Sequence, residues 1–119
     1  MSRDHRKLDV FNQADQLVLD VYRVSEAFPA YERYGLQAQV RRAAVSAACN
    51  IVEGSARRTT NEYVHFLNIA TASAAEAEYL VTLAERLECI PPETADTIVR
   101  DYARLSAGLR AMMRSLASG

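Results

Sequence analysis

The chain has 119 residues, of which 50% are hydrophobic and 24% are charged, and its formal net charge is −1. These values are ordinary for one soluble globular domain and exclude a disordered chain, a collagen-like repeat and a disulfide scaffold. The near-zero charge argues against a protein whose main task is to coat nucleic acid. We expect a single domain over residues 10–117 after a polar segment over 1–9. With no signal peptide expected, the chain is predicted to lie in the cytoplasm, with its two cysteines reduced.

The first two predicted helices are separated by an aromatic linker. Apolar residues at helical spacing predict a helix over residues 10–27, which Asp9 can cap. Pro29 disfavours helical geometry in the residue before it and so ends this helix. A second helix is predicted over residues 36–54, because Gly54 is a natural left-handed stop.

Two longer helices are predicted to follow. Thr59 and Glu62 fit a capping box, so the third helix is expected to begin there and to run to about residue 88. Pro92 suits the first turn of a fourth helix. No strand pattern competes, and short links between long helices favour antiparallel neighbours. The predicted fold is therefore all-α, an antiparallel up-down-up-down four-helix bundle.

The second predicted helix is apolar on two faces. One face suits the bundle core, and the other lies roughly opposite and consists of Val45, Ala48, Cys49 and Val52. A four-helix monomer covers only one side of a helix, so the second face predicts a contact with another subunit. The wide apolar arc of the third helix, which includes Tyr63, supports the same conclusion. We expect a homo-oligomer built on these two helices; the alternative is a monomer whose long third helix is simply well covered.

A polar stripe runs between the two apolar faces and continues onto the third helix. Its members are Gln39, Arg42, Ser46, Asn50, Glu53, Ser73 and Glu76. These groups can satisfy one another, and an ion pair from Arg42 to Glu53 or Glu76 would fix the packing register. A structural network is the favoured interpretation, and a ligand contact or a catalytic site remains an alternative.

The turn between the second and third helices is the best candidate for a nucleic-acid contact. Arg57 and Arg58 precede a helix N-terminus, where N–H groups and the helix dipole favour anions. Tyr63 lies one turn further and would offer a stacking face. Three residues of the N-terminal segment would add a flexible basic arm to this nucleic-acid contact: Arg3, Arg6 and Lys7. The competing interpretation is that these arginines are merely solvated.

Motifs that would indicate an enzyme are incomplete. Glu62 and His65 have the spacing of half a di-iron carboxylate site, but the only other histidine is His5. Cys49 and Cys89 lack the close spacing of a zinc or redox site. Neither a phosphate-binding glycine loop nor a nucleophile elbow occurs. We therefore expect no catalytic residue, no metal and no cofactor.

Several motifs together resemble one known family. They are Phe28-Pro29-x-x-Glu32-x-Tyr34-Gly35-Leu36, Gln39-Val40-Arg41-Arg42-Ala43-Ala44-Val45-Ser46, Asn50-Ile51-Val52-Glu53-Gly54, Glu62-Tyr63-x-x-Phe66-Leu67-x-x-Ala70 and Ser73-x-x-Glu76. From about residue 10 to 109 the chain resembles the bacterial four-helix bundle family named for the protein encoded in intervening sequences of large-subunit ribosomal RNA genes. The resemblance implies a ring-shaped homopentamer without enzymatic activity. A related branch comprises accessory proteins of diversity-generating retroelements, which bind nucleic acid and a reverse transcriptase.

The sequence thus predicts a non-enzymatic, homo-oligomeric bundle that acts as a binding or scaffold module, with RNA or DNA as the candidate partner. The retroelement accessory proteins are strongly basic, whereas this chain has a net charge of −1. That difference counts against nucleic acid without removing a local arginine site. The alternative is a protein–protein adaptor that docks a polypeptide, such as a reverse transcriptase, through Tyr31, Tyr34 and the outer faces of the first and fourth helices.

Overall fold

Four α-helices account for most of the chain. The structure, a computed structural model, describes residues 4–118. The helices, numbered in chain order, are α1 Asp9–Ser25, α2 Leu36–Ser55, α3 Thr60–Arg86 and α4 Pro92–Ser118. Two single-turn 3₁₀ helices, His5–Lys7 and Ala30–Glu32, precede α1 and α2, and no strand occurs in the described part of the chain. The prediction of an all-α fold is therefore confirmed.

The ends of α1 and α2 are set by local hydrogen bonds in the linker between them. α1 begins one residue earlier than predicted, so Asp9 lies in its first turn and not at the cap. There its negative charge interacts favourably with the helix dipole. α1 ends at Ser25, whose carbonyl accepts from the Phe28 N–H at 3.1 Å. The Glu32 carboxylate accepts from the Leu36 N–H at 3.0 Å and so holds the start of α2.

The start of α3 has the predicted cap. Thr59 Oγ1 accepts from the Glu62 N–H at 3.1 Å, and the same hydroxyl donates to the Glu62 carboxylate at 3.0 Å. α3 ends at Arg86, and two residues later Glu88 takes a left-handed conformation with φ of 61°. α4 begins at Pro92, whose missing N–H would be unpaired in a first turn in any case.

Gly54 is not the left-handed stop that its position predicts, and that prediction is wrong. α2 continues to Ser55, and no described glycine has a positive φ. A Cβ atom added at Gly54 would lie 3.0 Å from Cδ1 of Tyr63 and 3.1 Å from Cβ of Phe66. The missing side chain therefore serves a close approach of α2 and α3, and not a turn.

The four helices pack in a closed cycle, each against its neighbours in the chain and α1 also against α4. Among the described residues, no Cα atoms of α1 and α3, or of α2 and α4, lie within 8 Å of each other. This arrangement is a helical bundle measuring 46 × 22 × 19 Å. Its largest fully buried side chains are Tyr63, Tyr102, Leu17, Ile51, Leu67, Leu105 and Leu109. Within residues 4–118, no helix is both long and apolar enough to cross a bilayer.

Candidate interaction surface

The centre of the predicted polar stripe is a small hydrogen-bonded cluster that joins α2 to α3. The hydroxyls of Ser46 and Ser73 lie 2.8 Å apart. Asn50 donates its amide to the Ser46 carbonyl at 2.8 Å and to the Ser46 hydroxyl at 3.2 Å. Ser73 is buried and Ser46 is half-buried, so the cluster satisfies polar groups at the edge of the core. It has the features of a structural contact.

The outer members of the stripe do not join this cluster. Gln39, Arg42 and Glu76 are exposed, and no hydrogen bond or ion pair links them among the described residues. The expected ion pair from Arg42 to Glu53 or Glu76 is therefore wrong. Eleven residues of helix separate Arg42 from Glu53, about 16 Å at 1.5 Å per residue, which is beyond the reach of an ion pair. Glu53 pairs with Arg57 instead.

At the turn between α2 and α3, only one of the two arginines is exposed and unpaired. Arg57 forms an ion pair with Glu53, donates to the Glu53 carbonyl at 3.3 Å and lies 4.8 Å above the Phe66 ring. The charge of Arg57 is therefore largely neutralised within the turn. Arg58 is exposed and has no ion pair or hydrogen bond in the described part of the chain.

The predicted stacking role of Tyr63 is wrong. Tyr63 is 0% exposed, because it lies beneath Gly54 on the core side of α3. Its helical spacing with Leu67, Ala70 and Ala74 already indicates this inward position, and that periodicity is the better guide than nearness to the arginines.

The predicted basic arm is only partly described. Arg6 bonds to the Asp4 carboxylate at 3.0 Å, and this hydrogen bond, followed by the charge of Asp4, raises the pKa of Arg6. The carboxylate offsets the positive charge that an arm would offer. Arg3 and the side chain of Lys7 lie outside the described residues.

The second apolar face of α2 is partly open to solvent. Cys49 is exposed, and Val45 and Val52 are half-buried. Ala48 departs from the prediction, because it is only 9% exposed and packs at the edge of the core. We call the open residues the α2 strip; they are Ala38, Val45, Cys49 and Val52.

A basic, aromatic groove overlaps this strip at Ala38 and Val45, and sequence reasoning missed it. The groove has a volume of about 730 Å³ and lies between the end of α1, the linker and the first half of α2. We call it the α1–α2 groove, and its principal lining residues are Tyr22, Arg33, Tyr34, Ala38, Arg42 and Val45. No carboxylate lines it, and Arg41 is a third arginine in its wall. The clustering of arginine and tyrosine around the linker is the sequence feature that would have found it.

The position of Arg41 in this wall is fixed by the end of α1. Its guanidinium donates to the Ser25 hydroxyl at 2.8 Å and to the Tyr22 carbonyl at 3.1 Å, and it pairs with Glu26 at 3.1 Å. It also lies 4.6 Å from the centre of the Tyr22 ring. Arg41 therefore holds the last turn of α1, a structural role, while Arg33 remains exposed and without such bonds in the described structure.

Comparison with known proteins places the chain in a family. A family model described as 23S rRNA-intervening sequence protein matches residues 6–111. The chain belongs to this family. The resemblance seen in the motifs is therefore confirmed. No curated protein matches the chain.

The fold of this intervening-sequence family member is shared by a solved structure. A protein of unknown function from the S23 ribosomal protein family of Bacteroides thetaiotaomicron is 24% identical, with a TM-score of 0.80. The match covers 87% of this chain and 97% of that one. At this identity the likeness shows the fold alone. The surfaces described above therefore rest on the sequence and structure of this chain.

Among residues 4–118 of this family member, no group of three or more histidine, cysteine, aspartate or glutamate side chains has the arrangement of a metal site. The His65 ring, which the Glu62 spacing singled out, instead packs edge-on against Phe66, with ring centres 5.3 Å apart. Its position is that of a surface side chain on α3. The surfaces whose exposed side chains best suit a contact with a partner are therefore the α2 strip and the α1–α2 groove.

Proposed function

We propose that this chain is a non-enzymatic, homo-oligomeric helical bundle that acts as a binding or scaffold module in the cytoplasm. The observation that carries the proposal is the apolar surface that one copy leaves open on α2 and α3. On α2 it is the α2 strip. On α3, Tyr79 is 56% exposed and Ile69 and Leu83 are half-buried, and Leu87, directly after the end of α3, is 52% exposed. Open apolar surface on two adjoining helices is typical of a protein contact.

The proposal includes an antiparallel up-down-up-down arrangement of the helices. Ser46 contacts Ser73, whereas Gly54, later in α2, contacts Tyr63, earlier in α3, as expected for two helices that run in opposite directions. Likewise, Gly108 in the second half of α4 approaches Val10 in the first turn of α1, and Val24 near the end of α1 lines a pocket with Thr94 near the start of α4. The helix cycle from α1 to α4 supports the same arrangement.

The proposal also includes a closed ring of copies, with five copies as the family resemblance implies. Its first test is the replacement of Cys49 by arginine. We expect Cys49→Arg to move the mass in solution to that of a monomer, because a charged side chain would be placed at the centre of the α2 strip. Sedimentation velocity at several protein concentrations measures the change.

The matched control is Ala107→Arg, an equal change at an exposed position of α4. Ala48 is unsuitable for this test, because arginine at a nearly buried position would also disturb the core. A Cys49→Arg protein that keeps the mass of the parent contradicts the proposed contact.

Nucleic acid is the proposed partner of the assembled ring. The exposed side chain of Arg58 lies next to the first turn of α3, and symmetry would repeat it in every copy, which strengthens a weak contact by multivalency. We expect retention on single-stranded RNA to fall as salt rises. Arg58→Ala together with Arg57→Ala should reduce the salt dependence by roughly one to two ion equivalents per copy. Fluorescence anisotropy over a salt series measures this effect.

The contribution of the two arginines is separated by testing each alone. Arg58→Ala should account for most of the loss, since Arg57 is already paired with Glu53. Equal RNA binding by the parent and the double variant would overturn the nucleic-acid proposal.

A protein adaptor is the second candidate function, and exposed tyrosines favour it. Tyr31 and Tyr34 in the linker are 83% and 88% exposed, and aromatic rings in this setting are enriched at protein interfaces. Under this alternative, binding of a partner polypeptide, such as a reverse transcriptase, resists nuclease. It is lost in Tyr31→Ala and Tyr34→Ala variants and is unchanged by the arginine substitutions.

A further inference from the structure

The lining of the α1–α2 groove is complementary to a segment that is both acidic and apolar. Its wall contains Arg33, Arg41 and Arg42 and no carboxylate, while Ala38 and Val45 supply an apolar floor. Arg33 and Arg42 are exposed and make no ion pair among the described residues. Unpaired arginines beside apolar surface are suited to carboxylates carried on an apolar segment.

The positive area of the groove is short. Glu26 and Glu32 lie at its linker end, and Glu53 follows two turns beyond Ser46 on α2. An extended phosphate backbone would leave the arginines and meet these carboxylates. The groove therefore favours a compact acidic segment over a long polyanion.

The outer face of α3 has the matching chemistry. Glu76, Tyr79 and Leu83 are spaced three or four residues apart and share one face of α3, and Leu87 follows directly after the last residue of the helix; we call these four residues the α3 strip. Three of them are exposed, and Leu83 is half-buried. The surrounding segment, residues 76–88, contains four glutamates and one arginine. The strip is thus apolar with an acidic surround.

The two surfaces are placed so that neighbouring copies can join them. The α1–α2 groove lies at the outer side of α2, and α2 and α3 are adjacent members of the helix cycle. The two surfaces of one copy differ, so a contact from the groove of one copy to the α3 strip of the next is heterologous, and contacts of this kind form a ring when the rotation between copies closes.

We infer that the α1–α2 groove of one copy receives the α3 strip of the next copy. Arg33 and Arg42 face the acidic segment around Glu76, and the tyrosine and leucines of the strip pack on the apolar floor. The inference rests on the proposed homo-oligomer and assigns its two complementary surfaces. It also explains why Arg42 and Glu76 are unpaired within one copy.

The test uses charge reversal and mixing. Arg42→Glu and Glu76→Arg, made separately in the full chain, should each raise the dissociation constant of self-association about 100-fold, because each places like charges together. Mixing the two variants should restore most of the association, since every contact between unlike variants is complementary and a ring of five needs only one contact between like variants. A contact within one chain cannot be restored by mixing. Arg110→Glu, at an exposed position of α4, is the matched control and should have no effect.

The outcomes separate this inference from the proposed oligomer. A parent chain that sediments as a monomer overturns the oligomer itself. A parent oligomer that Arg42→Glu leaves intact, while Cys49→Arg dissociates it, overturns only the role of the groove. Weak association of both variants without rescue on mixing overturns the pairing with the α3 strip. Circular dichroism of each variant shows that its helices are retained.

Discussion

Replacing Gly54 by valine is expected to lower the free energy of unfolding by about 3 kcal/mol, and Gly54→Ala is expected to lower it by a smaller amount. A single Cβ would already lie 3.0 Å from Cδ1 of Tyr63, and Tyr63 is 0% exposed and has no free volume to move into. Alanine gains about 1 kcal/mol of helix propensity but loses about 1–3 kcal/mol to overpacking. Valine adds two methyl groups at the same crowded site.

Urea denaturation at fixed protein concentration measures this effect, because subunit dissociation would otherwise change the apparent stability. Gly108→Ala on α4 is the matched control. A Cβ there would meet only Cγ1 of Val10, at 3.1 Å, in the first turn of α1. We expect this control to be neutral or stabilising by up to about 1 kcal/mol. Equal effects at the two glycines would show that close approach at Gly54 is not required.

Two substitutions at Tyr102 are expected to act in opposite directions. Tyr102 is 1% exposed, and its hydroxyl has no hydrogen-bond partner among the described residues. Tyr102→Ala should cost about 3–5 kcal/mol, because it leaves a cavity between α4 and α1. Tyr102→Phe keeps the ring and removes the unsatisfied hydroxyl, so it should stabilise the protein by about 1 kcal/mol.

The pH dependence gives a further check on Tyr102. Burial, followed by the charge of Asp20, raises the pKa of Tyr102 above its ordinary value of 10.0. The folded state therefore holds the proton of this hydroxyl more tightly than the unfolded state does. The resulting contribution to stability is fully present below the pKa of the unfolded state and is lost as the pH rises above that value. The advantage of Tyr102→Phe should therefore grow above about pH 10. Thermal unfolding at neutral and alkaline pH measures it, and Tyr31→Phe, at an 83% exposed position, should leave stability unchanged.

Much of the fold was accessible from sequence because its determinants are local. The capping box of Thr59 and Glu62 predicts the start of α3, and Pro92 marks the start of α4. The apolar spacing of each helix predicts which side is buried. The error at Gly54 arose because a glycine near a turn has two uses, and the choice depends on Tyr63, whose packing is a tertiary property.

The candidate surfaces were only partly accessible. The open side of α2 follows from its two apolar faces, although Ala48 lies close enough to the core to be covered. The α1–α2 groove depends on how Tyr22, Arg33 and Arg42 meet across a linker, which periodicity does not specify. Likewise, the bonds that commit Arg41 to the end of α1 join residues up to 19 positions apart in the chain.

The close approach at Gly54 also bears on the order in which the chain folds. Gly54 and Tyr63 meet across a turn of few residues, and Arg57 bonds to Glu53 within the same segment. Closing such a short loop has a small entropic cost, and contacts of low sequence separation form quickly. The pair of helices α2 and α3 can therefore form as a local unit, whereas α1 and α4, which lie at opposite ends of the chain, meet only when the bundle closes.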